Sequence, residues 1–324
     1  MTRNIARVAC VGAGLIGQGW SVLFSSRGRE VILQDVSEAV LDKALSGIAG
    51  NLAFLEQKGL LKKGEAEAAL TRIQTTLNLE EAVHGADYVQ ESVPEDYGLK
   101  KKIFQQMDGA APEYSILASS TSGLLMSEIQ EATSRPERCV LVHPVLPVYL
   151  IPLVEIAGGR KTSRKVLEAT DTFMKGLGKS PVVLKREVPG YIINRLQAAL
   201  MREAIDLLDR GIASAEDIDR AFCTGIGLRD PLVGPFLRMH LAGNGIERFI
   251  ENFSQSYHHR WATMESWTSI SPSAAQTMAR ETRKMEAVRT KTLPEIRGWR
   301  DEMLIRIIRL IQENELCRGA QGGT

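Results

Sequence analysis

Over the first 187 residues, short β-branched apolar runs alternate with longer stretches in which apolar positions recur at helical spacing. The runs at 7–11, 31–34, 88–91, 116–118, 140–143, 154–156 and 182–184 read as strands, and their alternation with helical segments is the pattern of βαβ units on a mainly parallel sheet. Between the second and third runs lies a long charged segment, 36–86, with helical stretches at 39–58 and 63–71. That is more chain than a crossover needs, so it is expected as a helical hairpin inserted on the sheet. After Pro189 the strand signal stops. Helical patterns follow at 193–210, from a cap at Ser214, and at 230–241, 246–257, 273–287 and 293–315. The expectation is therefore a Rossmann-type, doubly wound α/β domain over 1–188, an all-α domain over 189–317 and a disordered Gly-rich tail over 318–324.

Composition agrees with two domains. The chain has 324 residues, 44% hydrophobic and 24% charged, enough to bury roughly three-quarters of its extended surface without disulfides or structural metal. Forty Lys and Arg against 39 Asp and Glu leave a net charge of +1, which argues against a nucleic-acid or polybasic membrane-surface partner and for a small molecule. Cys10, Cys139, Cys223 and Cys317 stand singly, without metal-ligand or redox spacing, and read as reduced thiols with no metal site. Neither a signal peptide nor an 18-residue apolar run is seen, so a cytoplasmic protein is expected.

Two constellations carry chemistry. The first is Gly12-Ala13-Gly14-Leu15-Ile16-Gly17, a G-x-G-x-x-G segment between a strand and a helix. Gly12 allows the tight turn, Gly14 lets a pyrophosphate approach the backbone, and Gly17 allows close packing of helix on strand; the helix start at Leu15 and Ile16 offers free N–H groups. Asp35, 18 residues after Gly17 at the end of a strand, suits an adenosine ribose and would repel a 2′-phosphate, which favours NAD over NADP. Its other reading is a cap on the following helix.

The second constellation centres on His143, at the C-terminal end of an apolar strand, and Glu155, inside the apolar run Leu153-Val154-Glu155-Ile156. A carboxylate there needs a partner. The loop with Pro144, Pro147, Tyr149 and Pro152 could bring the two together, leaving His143 as a general base or acid oriented by Glu155; the other reading is a core histidine and a strand-edge glutamate. Ser119-Ser120-Thr121-Ser122-Gly123 ends another strand on the same side, as an active-site loop or an ordinary turn and cap. Asn194 opens the second domain in an apolar helical context and needs either a substrate oxygen or a backbone carbonyl.

Together these residues resemble the 3-hydroxyacyl-CoA dehydrogenase family, in its small hydroxy-acid, lambda-crystallin (L-gulonate 3-dehydrogenase) branch. The resemblance runs through Val11–Trp20, Gln90–Glu95 with Leu99-Lys100, Ser119–Gly123, His143–Val145, Ile151–Ile156 and Gly190–Leu196. Gly227-Leu228-Arg229, Gly234-Pro235, Met239–Leu241 and Trp299–Glu302 carry it into the second domain. The resemblance implies an NAD-dependent dehydrogenase in which His143 takes the substrate hydroxyl proton and Glu155 stabilises the imidazolium. It further implies that Ser122 and Asn194 hydrogen-bond the reacting oxygen and that Glu95 and Lys100 contact the cofactor. On residues alone, Lys100-Lys101-Lys102 reads as an exposed charged face.

Leu146 stands where the family usually has Asn, and Arg229 is either a carboxylate clamp or a surface or interface arginine. The expected activity is oxidation of the 3-hydroxyl of a small free acid such as L-gulonate, with 3-hydroxyacyl-CoA or carnitine-type substrates, and a non-catalytic crystallin-like protein, as alternatives. The family build also implies a homodimer through the helical domain.

Overall fold

The computed structural model describes residues 4–312. Cys317 and the tail 318–324 lie outside the described residues. The chain divides into two compact units, residues 1–194 and 195–324. The division falls after the boundary expected at 188 because 191–194 are bonded into the first unit, through Ile192 and Ile193 to Glu155 and through Asn194 to Ser122.

In the first unit the strands β1 (Arg7–Val11), β2 (Glu30–Gln34), β3 (Ile73–Thr76), β4 (Tyr88–Glu91), β5 (Ile116–Ser119), β6 (Cys139–Pro144), β7 (Leu153–Gly158) and β8 (Ser180–Val183) form one sheet in the order β3-β2-β1-β4-β5-β6-β7-β8. Strands β4, β5 and β6 are buried at every position, as expected where helices cover both faces of a parallel sheet. The helices α1 (Leu15–Ser26), α2 (Glu38–Gln57), α3 (Glu65–Leu70), α4 (Leu79–Val83), α5 (Tyr97–Ala110), α6 (Met126–Ile129) and α7 (Arg164–Gly176) supply that cover.

Two features depart from the expected pattern. The segment 36–86 is not purely helical, because β3 follows the α2–α3 hairpin and pairs parallel to β2 as the edge strand. Its Ile-Gln-Thr-Thr sequence buries too little apolar surface to stand out. Strand β7 runs antiparallel to β6, since residues 145–152 are too few for a crossover helix. This reversal sets His143 directly opposite Glu155 in the register.

The strand order switches at β1, which lies between β2 and β4, and the carboxyl ends of the central strands form the crevice where open α/β sheets bind ligands.

The second unit continues α8 (Ile193–Asp209) and adds α9 (Ala215–Ala221), a π-turn at Phe222–Ile226, α10 (Gly227–Arg229), α11 (Pro235–Gly243), α12 (Ile246–Trp261), α13 (Pro272–Thr282), α14 (Glu286–Thr290) and α15 (Leu293–Gln312). Ser214 caps α9 by accepting from the Asp217 N–H. The helix expected over 230–241 is broken before α11, where Pro235 takes the first helical position after Gly234. The single run expected at 273–287 is likewise two helices, α13 and α14.

Candidate active site

The glycine-rich turn is a backbone device. Gly12 has φ +96, a conformation that disfavours any side chain, and its N–H donates to the Gln34 carbonyl at 2.8 Å, tying the turn to β2. A Cβ on Gly17 would stand 1.8 Å from the Gly12 carbonyl oxygen, so only glycine lets α1 pack this closely. A Cβ on Gly14 would meet nothing within 4 Å. Gly14 is the N-cap of α1 and faces open space, leaving the free N–H groups of the helix start approachable by a pyrophosphate.

Asp35 does not cap α2, whose N-cap is Ser37. Its Oδ2 accepts from Ala13 N–H at 2.8 Å and its Oδ1 from Val36 N–H at 2.8 Å, which braces the turn while leaving lone pairs on both oxygens for a ribose. Leu15, just after the glycine turn, and Val36, just after Asp35, are 72% and 88% exposed. Such exposure suits an adenosine better than it suits water. The residues present therefore fit the dinucleotide.

At the far ends of β5, β6 and β7 lies a second cluster. His143 Nδ1 meets Glu155 Oε2 at 2.8 Å, both side chains buried. The second oxygen, Oε1, accepts from the backbone N–H groups of Ile192 at 2.8 Å and Ile193 at 3.0 Å, the first turn of α8. One carboxylate thus orients the imidazole and satisfies a helix N-terminus. Burial alone would raise the Glu155 carboxyl; the His143 bond and the two N–H groups outweigh it and hold it below the usual range. The turn delivering those N–H groups contains Gly190 at φ +77 and Tyr191 at φ +48. Left-handed backbone at a bulky aromatic costs about 1–2 kcal/mol and marks a constrained position.

Ser122 and Asn194 come together: Asn194 Nδ2 donates to the Ser122 carbonyl at 2.9 Å, leaving Oδ1 and one N–H on the amide. Glu95 reaches the same loop. Its Oε1 accepts from Thr121 Oγ at 2.6 Å, from the N–H groups of Ser122 and Gly123 at 2.9 Å each, and from Ser122 Oγ at 3.3 Å. Burial works against ionisation there, but the Thr121 bond, the Lys100 charge and the backbone donors keep the carboxyl low.

Lys100 is buried, unlike the exposed face that its basic run suggested. Its Nζ bonds Glu91 Oε1 at 2.6 Å and the Val93 carbonyl at 3.0 Å, with Glu95 Oε2 at 3.6 Å. It therefore supports the β4 end and Glu95 from behind. Arg229 lies in the second unit on α10, exposed, with Nε donating to the Gly225 carbonyl at 3.3 Å. Leu146, 50% exposed, precedes Pro147 in the loop after His143.

Three contributors escaped the sequence reading. Glu91 is wholly buried, bonded to Lys100, Ser119 Oγ and Val93 N–H; a carboxylate closing an apolar strand was the available signal, the same one that marks Glu155. Lys179 donates its ammonium to the carbonyls of Val148 and Ile151 in the loop joining His143 to Glu155, and lies over the Trp20 ring at 5.8 Å. The backbone groups of Ile192 and Ile193 leave no trace in residue type.

Comparison with known proteins decides the family. Residues 7–188 match the NAD-binding domain of 3-hydroxyacyl-CoA dehydrogenase, and residues 190–290 match its C-terminal domain. The chain belongs to the 3-hydroxyacyl-CoA dehydrogenase family. It is 36% identical over 304 residues to a lambda-crystallin homolog of Homo sapiens, covering 94% of this chain and 95% of the relative. It is 34% identical over 313 residues to an L-carnitine dehydrogenase of Oceanobacillus iheyensis, covering 95% and 98%.

Among solved structures, a 5-formyl-3-hydroxy-2-methylpyridine 4-carboxylic acid 5-dehydrogenase, described as an NAD+-dependent dismutase, superposes with TM-score 0.82 at 26% identity, over 96% of this chain and 100% of that one. An (S)-3-hydroxybutyryl-CoA dehydrogenase from Ralstonia eutropha gives 0.65 at 30% identity, over 79% and 88%. As a 3-hydroxyacyl-CoA dehydrogenase family member, the chain is an NAD-dependent oxidoreductase acting on a CH–OH group, and its first unit is the NAD-binding domain.

Proposed function

We propose that the chain oxidises the 3-hydroxyl of a small free hydroxy acid to the 3-oxo acid, with L-gulonate as the model substrate. The observation that carries the reading is the His143–Glu155 pair, buried and anchored on the first turn of α8. Glu155 holds Nδ1 as the protonated nitrogen, which leaves Nε2 as the base for the substrate hydroxyl proton. As that proton arrives, the Glu155 carboxylate balances the charge on the imidazolium. NAD+, when bound, supplies the acceptor for the hydride from the carbinol carbon. Ser122 and the free groups of the Asn194 amide hold the reacting oxygen near the histidine. Glu95 faces the nicotinamide side of the cofactor pocket, while Lys100, buried against Glu91 and Val93, braces it from behind and does not itself reach the cofactor.

Two observations weigh on substrate size. The hollow between α2 and α3 is lined by Glu56 and Glu67 as well as Lys63, and Glu56 is engaged by the N–H groups of Gly64 and Ala66. That is not the basic groove a CoA phosphate would require. The L-carnitine dehydrogenase likeness favours a second reading within the same class, a 3-hydroxy acid carrying a quaternary ammonium.

The chain acts as a homodimer through its helical unit, where large apolar side chains such as Phe236, Leu241 and Trp261 are exposed and few are buried. An NADH-formation screen over L-gulonate, L-carnitine, 3-hydroxybutyrate and 3-hydroxybutyryl-CoA tests the reading. Turnover of a free acid supports it; turnover of the CoA ester alone overturns it. Sedimentation at micromolar concentration tests the dimer, and a monomer refutes it.

A further inference from the structure

Tyr191 touches three parts of the site at once. Its backbone, at φ +48 directly after Gly190, forms the turn that delivers the N–H groups of Ile192 and Ile193 to Glu155. Its ring lies 5.4 Å from the His143 ring, tilted by 49°. Its hydroxyl donates to the carbonyl of Leu124, two residues beyond Ser122 in the loop that also carries Thr121 and Gly123. The side chain is 1% exposed and belongs to the apolar cluster that holds Leu117, Met126 and Leu141.

A phenylalanine would fill the same apolar space, so packing alone does not explain the hydroxyl. Burial pushes the phenol well above its ordinary range, so it stays a hydrogen-bond donor. The donor to the Leu124 carbonyl comes from the residue whose ring packs on the base. Loop 119–125 is tied on its other side to Glu95 and Tyr97, at the start of α5, and on the Tyr191 side it has one further tie, from the Asn194 amide to the Ser122 carbonyl.

We propose that Tyr191 is a positioning residue that fixes the spacing between His143 and the Ser122 loop: the ring sets the orientation of the imidazole, and the hydroxyl sets the height of the loop against it. The inference rests on the reading of His143 as base. Misplacement of reacting groups by an ångström costs on the order of a hundredfold in rate, so a lost tether need not unfold the protein to slow it.

Two variants separate the parts. Y191F keeps the ring and removes the tether; Y191L keeps apolar bulk and removes the ring from His143. Three readouts are made at a temperature well below the thermal midpoint of each variant. These are kcat and KM with whichever acid the wild type turns over, NADH affinity by fluorescence, and the tautomer ratio of the His143 ring nitrogens by NMR at one fixed pH, with H143Q used to assign the signals.

The expected result for Y191F is a kcat about tenfold lower, with NADH affinity within twofold of wild type and an unchanged His143 tautomer ratio. For Y191L the share of the Nδ1-protonated His143 tautomer falls, because the imidazole is no longer held in line with Glu155 by the ring packed on it. Y191F with wild-type kcat and KM overturns the tether, and Y191L with an unchanged tautomer ratio overturns the orienting role. Loss of activity only in proportion to unfolded protein overturns both. The NMR arm needs no turnover, so it decides the Tyr191 inference even if the substrate reading fails. Turnover retained by H143Q would refute that reading and leave the Tyr191 result legible.

Discussion

Replacing Glu155 by Gln separates the two duties that its carboxylate performs. The side chain is 1% exposed, with one oxygen 2.8 Å from His143 Nδ1 and the other accepting from Ile192 and Ile193 N–H. In E155Q the amide oxygen can still serve both backbone donors, so the start of α8 stays capped. The NH2 group then faces Nδ1. Two donors cannot share that line, so the imidazole must turn its Nδ1 lone pair to the amide and carry its proton on Nε2, where the base is needed.

A charge-assisted bond contributes about 1.5–3 kcal/mol, roughly 10- to 150-fold in rate if it acts on the imidazolium. Loss of the base tautomer brings the expected fall in kcat to about 10²–10⁴. E155A, by contrast, also removes the acceptor from two part-buried N–H groups, at up to about 1–3 kcal/mol each. The assay pairs initial rates of NADH formation with thermal denaturation. E155Q should be slow and close to wild type in stability, and E155A slow and clearly less stable. A kcat for E155Q within threefold of wild type refutes the orienting role. Equal stability of E155Q and E155A refutes the capping role.

The pH dependence has a definite sign. The folded Glu155 carboxyl lies below its ordinary value of 4.5, so its contribution to stability is complete above that pH and is lost as pH falls beneath it. Wild type should therefore lose stability through this group only as pH falls below about 4.5, where E155Q does not.

Three further outcomes are expected. D35A should weaken NADH binding roughly 10- to 100-fold and narrow the discrimination against NADPH, because the ribose acceptor and its repulsion of a 2′-phosphate go together; unchanged fluorescence titrations with both nucleotides would sink the assignment. G14A should keep its thermal midpoint yet lose NADH affinity, since its Cβ enters only the open space above the helix start, whereas G17A should fail to fold stably with a Cβ 1.8 Å from Gly12 O; a G14A variant that binds NADH normally would contradict the cradle. Burial brings Lys179 down to about 7, so the unfolded chain holds its proton where the folded chain releases it, and stability should rise with pH above 7 by up to about 1.4 kcal/mol per unit. Denaturant titrations should find that K179M lacks this rise; an identical slope in both proteins would rule it out.

What was legible in the chain depended on residues that looked out of place. The central strands stood out because a parallel sheet buried on both faces demands continuous apolar runs, and β1, β5 and β6 come close to that. Edge strand β3, with Ile73 followed by three polar residues, makes no such demand and was hidden within a helical segment. His143 and Glu155 were conspicuous for the opposite reason, as titratable groups among Leu, Val and Ile. Their pairing followed from the carboxylate's need for a partner and from the proline-bearing loop between them; the reversal of β7 that sets them opposite each other in register was not readable, because it is a consequence of loop length and not of residue type.

The same distinction explains the rest of the site. Glu95 and Lys100 carried a resemblance, but their partners in loop 119–123 and on β4 come from the adjacency of β4 and β5, which no local pattern encodes. Where the backbone supplies the chemistry, as Ile192 and Ile193 do for Glu155, the only clue is the residue that forces the turn. Tyr191, an aromatic in left-handed backbone after a glycine, is that residue. Its strain persists only because its neighbours over-determine it. A site whose base is oriented by a helix N-terminus must keep the turn that aims it, so the strain and the catalytic geometry have one origin.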